Sequence, residues 1–181
     1  MIGEPSKTGE RLLKPVLAIG LMSGTSVDGV DLALIRTDGQ AFIETEAFHT
    51  ESYDRGLRKK IFDVLGRVGS AFEAEIAVTK AHAIAIQRFL EKIKIKNGYN
   101  QPIDVIGFHG HTILHRPAEG KTIQIGDGQY LANLTGINVV CNFRANDVAH
   151  GGEGAPITPI FHSAITQELE KPLAVLNIGG V

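Results

Sequence analysis

The sequence holds one cysteine, Cys141, in 181 residues, which excludes an intrachain disulfide framework. It has no excess of either charge. Lys plus Arg is 18 against 20 for Asp plus Glu, a formal net charge of -2, so there is no basic field to gather a nucleic acid from solution. No stretch approaches the roughly 18 uninterrupted apolar residues that a membrane span needs. The first residues lack the apolar core and small-residue cleavage site of a secretory signal. These absences predict no nucleic-acid partner, no membrane and a cytoplasmic location. Two nucleotide fingerprints are missing as well: Gly120-Lys121-Thr122 has His115 where the Walker pattern GxxxxGK[ST] needs its first glycine, GxGxxG does not occur, and no repeat of fixed period is visible.

What is present suits a globular chain: 43% hydrophobic and 21% charged residues, with a length that fits one domain around one core. Glycine is the compositional signal. There are 21, nine of them between Gly107 and Gly154, and such clustering favours close backbone approach to a small molecule over ordinary turns.

Residues 1–14 are polar and aperiodic and read as a disordered tail, leaving 15–181 as the folded unit. Val16–Leu21, Val30–Arg36 and Ala41–Phe48 read as a three-strand meander. From Tyr53 the period becomes helical through Leu57, Ile61, Leu65 and Val68. A second helix opens with a capping box of Ser70 and Glu73, buries Phe72, Ile76, Ala83, Ile86, Leu90 and Ile93, and stops at Asn97-Gly98. Its final turns carry Lys92, Lys94 and Lys96, favourable at the negative end of the helix dipole. Strands follow at Ile103–Phe108, Lys121–Ile125, Ile137–Phe143 and Leu173–Ile178, with helices near Gln129–Thr135 and Thr158–Glu170. This order predicts an α/β fold, a mixed sheet covered by helices.

Four constellations carry chemistry. Ser23 to Asp31 (SGTSVDGVD) lies between two apolar strands. Its glycines and hydroxyls suit a phosphate cradle and its carboxylates a magnesium end, although the same residue types also make a hydrogen-bonded hairpin turn. In Gly107 to Thr112 (GFHGHT), a continuing strand would put His109 and His111 on one face, as a metal pair, an edge for a polar ligand, or loop packing. Asp127, between Gly126 and Gly128, could cap the following helix or face a metal or phosphate. Asn142 to Pro156 brings Arg144 and Asp147 to a strand end ahead of Gly151, Gly152 and Gly154. Open α/β sheets place ligands there. Asp147 is the candidate general base, with an Arg–Asp pair bracing a loop as the bland alternative.

GLMSGTSVDGVD (Gly20–Asp31), GFHGHTILHRP (Gly107–Pro117), TIQIGDGQYLANLTGINVV (Thr122–Val140), FRANDVAHGGEGAPITPIFH (Phe143–His162) and LNIGG (Leu176–Gly180) together resemble the N-terminal part of the anhydro-N-acetylmuramic acid kinase family. The resemblance implies the actin-like ATPase and sugar-kinase fold, with this chain as its first, ribonuclease-H-like lobe. It further implies that a second lobe follows Val181 and that this piece alone is inactive. The activity implied is ATP-dependent opening of the anhydro ring of 1,6-anhydro-N-acetylmuramic acid and its phosphorylation to N-acetylmuramic acid 6-phosphate, in peptidoglycan recycling. By the same resemblance, Asp147 activates water. Gly24, Thr25, Ser26, Val27, Asp28, Gly29, Val30 and Asp31 hold the ATP phosphates, with Asp28 towards Mg2+. The sugar side is formed by His109, Gly110, Thr112, Arg144, Gly151, Gly152 and Gly154. A homodimer is implied as well. His111, Asn142 and Glu153 depart from the family pattern, where Gln, Asp and Gln are usual. Two alternatives remain: a metal-dependent hydrolase built on His109, His111 and Asp147, and a non-catalytic sugar- or nucleotide-binding relative.

Overall fold

A computed structural model describes residues 14–40, 42–67, 69–98 and 100–176, with backbone only at 95–97. The expected tail lies outside these residues apart from Lys14, which is exposed and irregular. Three strands open the fold: β1 (Val16–Ser23), β2 (Gly29–Thr37) and β3 (Ile43–Ser52). They form an antiparallel meander, with Val16 opposite Thr37 and Gly29 opposite Ser52. Helices α1 (Arg55–Phe62) and α2 (Phe72–Asn97) follow, then β4 (Val105–Arg116), β5 (Lys121–Ile125), α3 (Gly128–Thr135), β6 (Asn138–Cys141), α4 (Ala145–Ala149) and α5 (Pro159–Ile165).

The sheet has six strands in the order β3-β2-β1-β4-β5, with β6 also on β4. β4 is long enough to use its edge twice. Its first residues pair in parallel with β6, and its last pair antiparallel with β5. β1 runs parallel to β4 on the other side. Mixed pairing under helices is the α/β layer architecture that the element order predicts.

The core lies between the sheet and α2. Ile19, Leu32, Leu34, Ile106 and Phe108 meet Val78, Ala85, Ile86, Phe89 and Ile93 of the helix, all buried. Each large apolar side chain so buried contributes roughly 1.5–3 kcal/mol. The helix is apolar on more than one side, which turned the expected stripe: Ile86 and Ile93 are inside, but Phe72 is 66% exposed, and Ala74, Val78 and His82 are inside in its place. Ser70 does not form the expected capping box, because α2 starts at Phe72 with Ala71 as its cap residue and no side-chain cap bond. Gly98, at φ 65°, supplies the left-handed stop as expected. Of the first helix's periodic residues, Leu57 and Ile61 are buried, while Leu65 falls in the turn beyond and Val68 lies outside the described residues.

Several spans differ from expectation: the helix expected over Thr158–Glu170 is only Pro159–Ile165, the strand expected over Ile137–Phe143 is Asn138–Cys141, and the short α4 has no expected counterpart. Among the strands, one exists only where it finds a ladder partner. β4 runs eight residues beyond Phe108 because β5 folds back on it. Residues 173–176 are exposed with no regular structure, and 177–181 lie outside the described residues.

Candidate functional site

The loop from Ser23 to Gly29 joins β1 to β2 and is anchored from below. Val27 is fully buried at a positive φ of 52°, a strained conformation for a β-branched residue that its surroundings must impose. Its N–H closes a turn on the Gly24 carbonyl at 3.0 Å, and the Tyr53 N–H donates to the Asp28 carbonyl at 2.8 Å. A Cβ at Gly29 would strike the Glu51 carbonyl, so glycine is required for β2 to start beside β3. Thr25, Ser26 and Asp28 are left exposed at the tip. The Ser26 hydroxyl donates to Asp28 Oδ1 at 2.8 Å and, with nearby backbone N–H groups, holds the Asp28 carboxyl below the usual carboxylate range. An ionised carboxylate beside hydroxyls fits a magnesium ion that shares its remaining ligands between water and phosphate oxygens. Asp31 is committed elsewhere: its Oδ1 accepts from the Thr50 hydroxyl of β3 at 2.6 Å.

The second group gathers at the far end of β4. The strand does continue through His111, but the two histidines do not share a face. Gly110 takes φ +71°, and the β1–β4 register shifts between Leu21 and Ser23. This bulge inserts one residue and reverses the alternation. His111 points into the core, fully buried, with Nδ1 2.9 Å from Ser23 Oγ. His109 faces the other way and accepts at Nε2 from Arg144 Nε at 2.9 Å. With that nitrogen an acceptor, the proton sits on Nδ1, which lies 3.2 Å from the Gly110 carbonyl. Burial lowers the basicity of His109, and burial likewise pulls Arg144 down from its ordinary value.

Arg144 also donates through Nη1 to the Gly154 carbonyl at 2.6 Å, and the Gly154 N–H donates to Asp147 Oδ2 at 2.7 Å. The Gly152 N–H closes on the Asp147 carbonyl at 2.9 Å, and a Cβ at Gly152 would collide with the Asp147 carboxylate. The glycine loop therefore wraps the aspartate, leaving it exposed with Oδ1 without a hydrogen-bond partner among the described residues. His109, Gly110, Arg144, Asp147, Gly152 and Gly154 thus lie in one cluster linked by hydrogen bonds and close backbone contact. Gly151 turns the loop at φ 85°. Thr112 engages the β4–β5 ladder, accepting from Gln124 Nε2 at 3.3 Å. Asp127 takes the bland role, capping α3 by accepting the Tyr130 N–H at 2.9 Å. Beside it a polar cavity of 670 Å³ is lined by Glu75, Gln124, Gln129, Asn138 and Asn142 among others.

No group of three or more His, Cys, Asp or Glu is placed to hold a metal among the described residues. The bulge removes the geometry a His109–His111 metal pair would need. Sequence reasoning missed Tyr53 and His82, both buried against this region. Their periodicity matches ordinary core residues, and only their polarity at core positions could have drawn notice.

A mixed sheet under helices, with a glycine- and hydroxyl-rich loop after β1 and an exposed carboxylate on α4 just past β6, is an α/β lobe of the kind found in the actin-like ATPase fold. The family model for anhydro-N-acetylmuramic acid kinase matches residues 16–181, and the chain belongs to that family. Curated proteins of that name are similar to it: 48% identity over 178 residues in Rhizobium etli, covering 91% of this chain and 47% of the relative. The Agrobacterium fabrum protein is 47% identical over 178 residues, with coverages of 91% and 47%. The one from Paramagnetospirillum magneticum is 48% identical over 166 residues, with coverages of 92% and 46%. The chain spans about half the length of the curated relatives it matches.

Proposed function

We propose that the whole protein opens the anhydro ring of 1,6-anhydro-N-acetylmuramic acid with water and phosphorylates the freed oxygen from ATP, giving N-acetylmuramic acid 6-phosphate and ADP, as a cytoplasmic homodimer in cell-wall sugar recycling. Residues 15–181 are its first lobe, ATP binds between this lobe and a second, and the first lobe alone is inactive. The observation that carries the reading is the Asp147 carboxylate, with one oxygen fixed by the Gly154 N–H and the other open.

In this reading Asp147 Oδ1 takes a proton from the water that attacks the anomeric carbon, and the C1–O6 bond breaks as the new C1–O bond forms. The O6 so released accepts the γ-phosphoryl group. The exposed tip of the loop between Gly24 and Gly29 presents backbone N–H groups and the Thr25 and Ser26 hydroxyls to the phosphates, and Asp28 would hold Mg2+, which would neutralise phosphate charge. Arg144, His109 and the Gly151–Gly154 loop orient the sugar, with Gly110 shaping the strand and Thr112 at its margin. Positioning and charge neutralisation are what phosphoryl transfer needs, which suits a site of glycines, hydroxyls and carboxylates with no nucleophile.

The test is turnover by the whole protein in ¹⁸O-labelled water with ATP and magnesium. A phosphorylated sugar labelled at its anomeric hydroxyl is expected. Label without phosphate would establish a hydrolase, and no change would leave only a binding protein.

A further inference from the structure

Among the described residues, three side-chain polar atoms are sealed from solvent with no hydrogen-bond partner: the Tyr53 hydroxyl, His82 Nε2 and His111 Nε2. They belong to one cluster beneath the Ser23–Gly29 loop. The Tyr53 and His82 ring centroids are 6.4 Å apart, and His82 meets the ring of Phe108 edge-on at 4.9 Å. His111 reaches the Ser23 hydroxyl at 2.9 Å. His82 Nδ1, 2.8 Å from the Val78 carbonyl, must carry a proton, because a carbonyl only accepts. Burial drives both imidazoles down to about 4, so the cluster is uncharged near neutral pH.

Stability gives no reason for this polarity. A buried polar atom without a partner is costly, and an apolar side chain of similar shape avoids the cost. What the cluster does reach is the loop, at two points. His111 holds Ser23, where the loop leaves β1, and the Tyr53 N–H holds the Asp28 carbonyl, where it enters β2. Between those points Val27 plugs the loop into the core in its strained conformation.

We infer that His111, packed with Tyr53 and His82, is a positioning residue that fixes Ser23 and so keeps the Gly24–Asp28 loop in its phosphate-binding shape. It acts through Ser23 and does not touch the phosphate. The inference rests on the reading of this loop as a phosphate cradle, and the experiment separates the two.

Inorganic tripolyphosphate with magnesium is titrated calorimetrically into the whole protein, with melting temperature measured alongside, for wild type, His111→Leu, His111→Gln and Ser23→Ala. His111→Leu removes the orphan His111 Nε2 but leaves the Ser23 hydroxyl unpaired, two effects that offset, so its melting temperature should stay within about 5 °C of wild type. Its affinity for tripolyphosphate should nevertheless fall about tenfold, the worth of one lost buried hydrogen bond. His111→Gln, which again offers Ser23 a neutral amide partner, should recover most of the affinity.

A wild type that does not bind tripolyphosphate would remove the cradle reading and this inference together. Binding by wild type and His111→Leu with equal affinity would overturn the inference alone, as would a His111→Gln no better than His111→Leu. Should His111→Leu fail to fold, Ser23→Ala decides. A tenfold loss at unchanged melting temperature supports the coupling, and undiminished binding overturns it.

Discussion

Arg144 and Asp147 do not pair with each other; both grip Gly154. The guanidinium takes its carbonyl at 2.6 Å and the carboxylate takes its N–H at 2.7 Å. The bland expectation of an Arg–Asp ion pair is thereby replaced by a clamp with a glycine at its centre. Gly154 sits at φ 62°, and a Cβ there would lie 2.6 Å from Val148 Cγ2. Gly154→Ala should therefore lose about 1–3 kcal/mol of stability through backbone strain and crowding. It should also cut kcat at least tenfold by releasing the Asp147 oxygen. Denaturant unfolding and steady-state kinetics on the whole protein check both, and wild-type kcat in the variant would dissociate the clamp from catalysis.

Asp147→Asn keeps the shape and can still accept the Gly154 N–H, but it cannot take a proton. If Asp147 is the base, kcat for sugar phosphorylation should fall by roughly 10²–10⁴ while the KM for ATP changes little. A variant that keeps its turnover would remove Asp147 from the chemistry, and one that loses ATP binding would place it on the nucleotide side.

Gly110 is the hinge between the two halves of the site. Its positive φ and the Ile125 carbonyl against its α-carbon leave no room for a side chain. Gly110→Ala should destabilise the chain by about 2–4 kcal/mol and disturb both histidines at once. Unfolding by urea measures the first effect. The ¹⁵N shifts of the His109 and His111 rings measure the second, and unchanged shifts would show that the bulge survives without glycine.

The same glycine marks the limit of what the sequence discloses. Strand and helix order follow from periodicity, and the stops at Gly98 and Gly136 follow from glycine's tolerance of positive φ. The meander, the α2 layer and the two glycine-rich loops are all legible in that way. Alternation along GFHGHT, however, puts His109 and His111 together, and only a bulge that depends on pairing with β1 and β5 separates them. Likewise the apolar residues of α2 surround the helix, so which of them face the sheet is set by packing and not by pattern. The link from Arg144 to His109 spans 35 positions, a distance over which local reasoning has no purchase. The five motif blocks are specific through their order and spacing, whereas none of the local signals is specific alone.

The buried histidines make stability depend on pH in a defined window. His82 and His111 are held at about 4 by burial, against an ordinary value of 6.5, with nearby His109 adding to the suppression of His111. Between those limits the unfolded chain binds protons that the folded chain refuses, so acidification favours unfolding. Their contribution is complete above about pH 6.5 and is lost as pH falls towards 4. The order of magnitude is ~3 kcal/mol for each ring. Carboxylates with lowered values, such as Asp28, act chiefly below this range because their unfolded groups titrate near 4. The urea midpoint should therefore be level from pH 7 to 8 and fall steadily from 6.5 to 4.5. His82→Phe, which keeps a ring against Phe108 but cannot take a proton, should flatten that fall by about half. A midpoint independent of pH, or an unaltered slope in His82→Phe, would show that the folded protein admits protons to these rings as readily as water does.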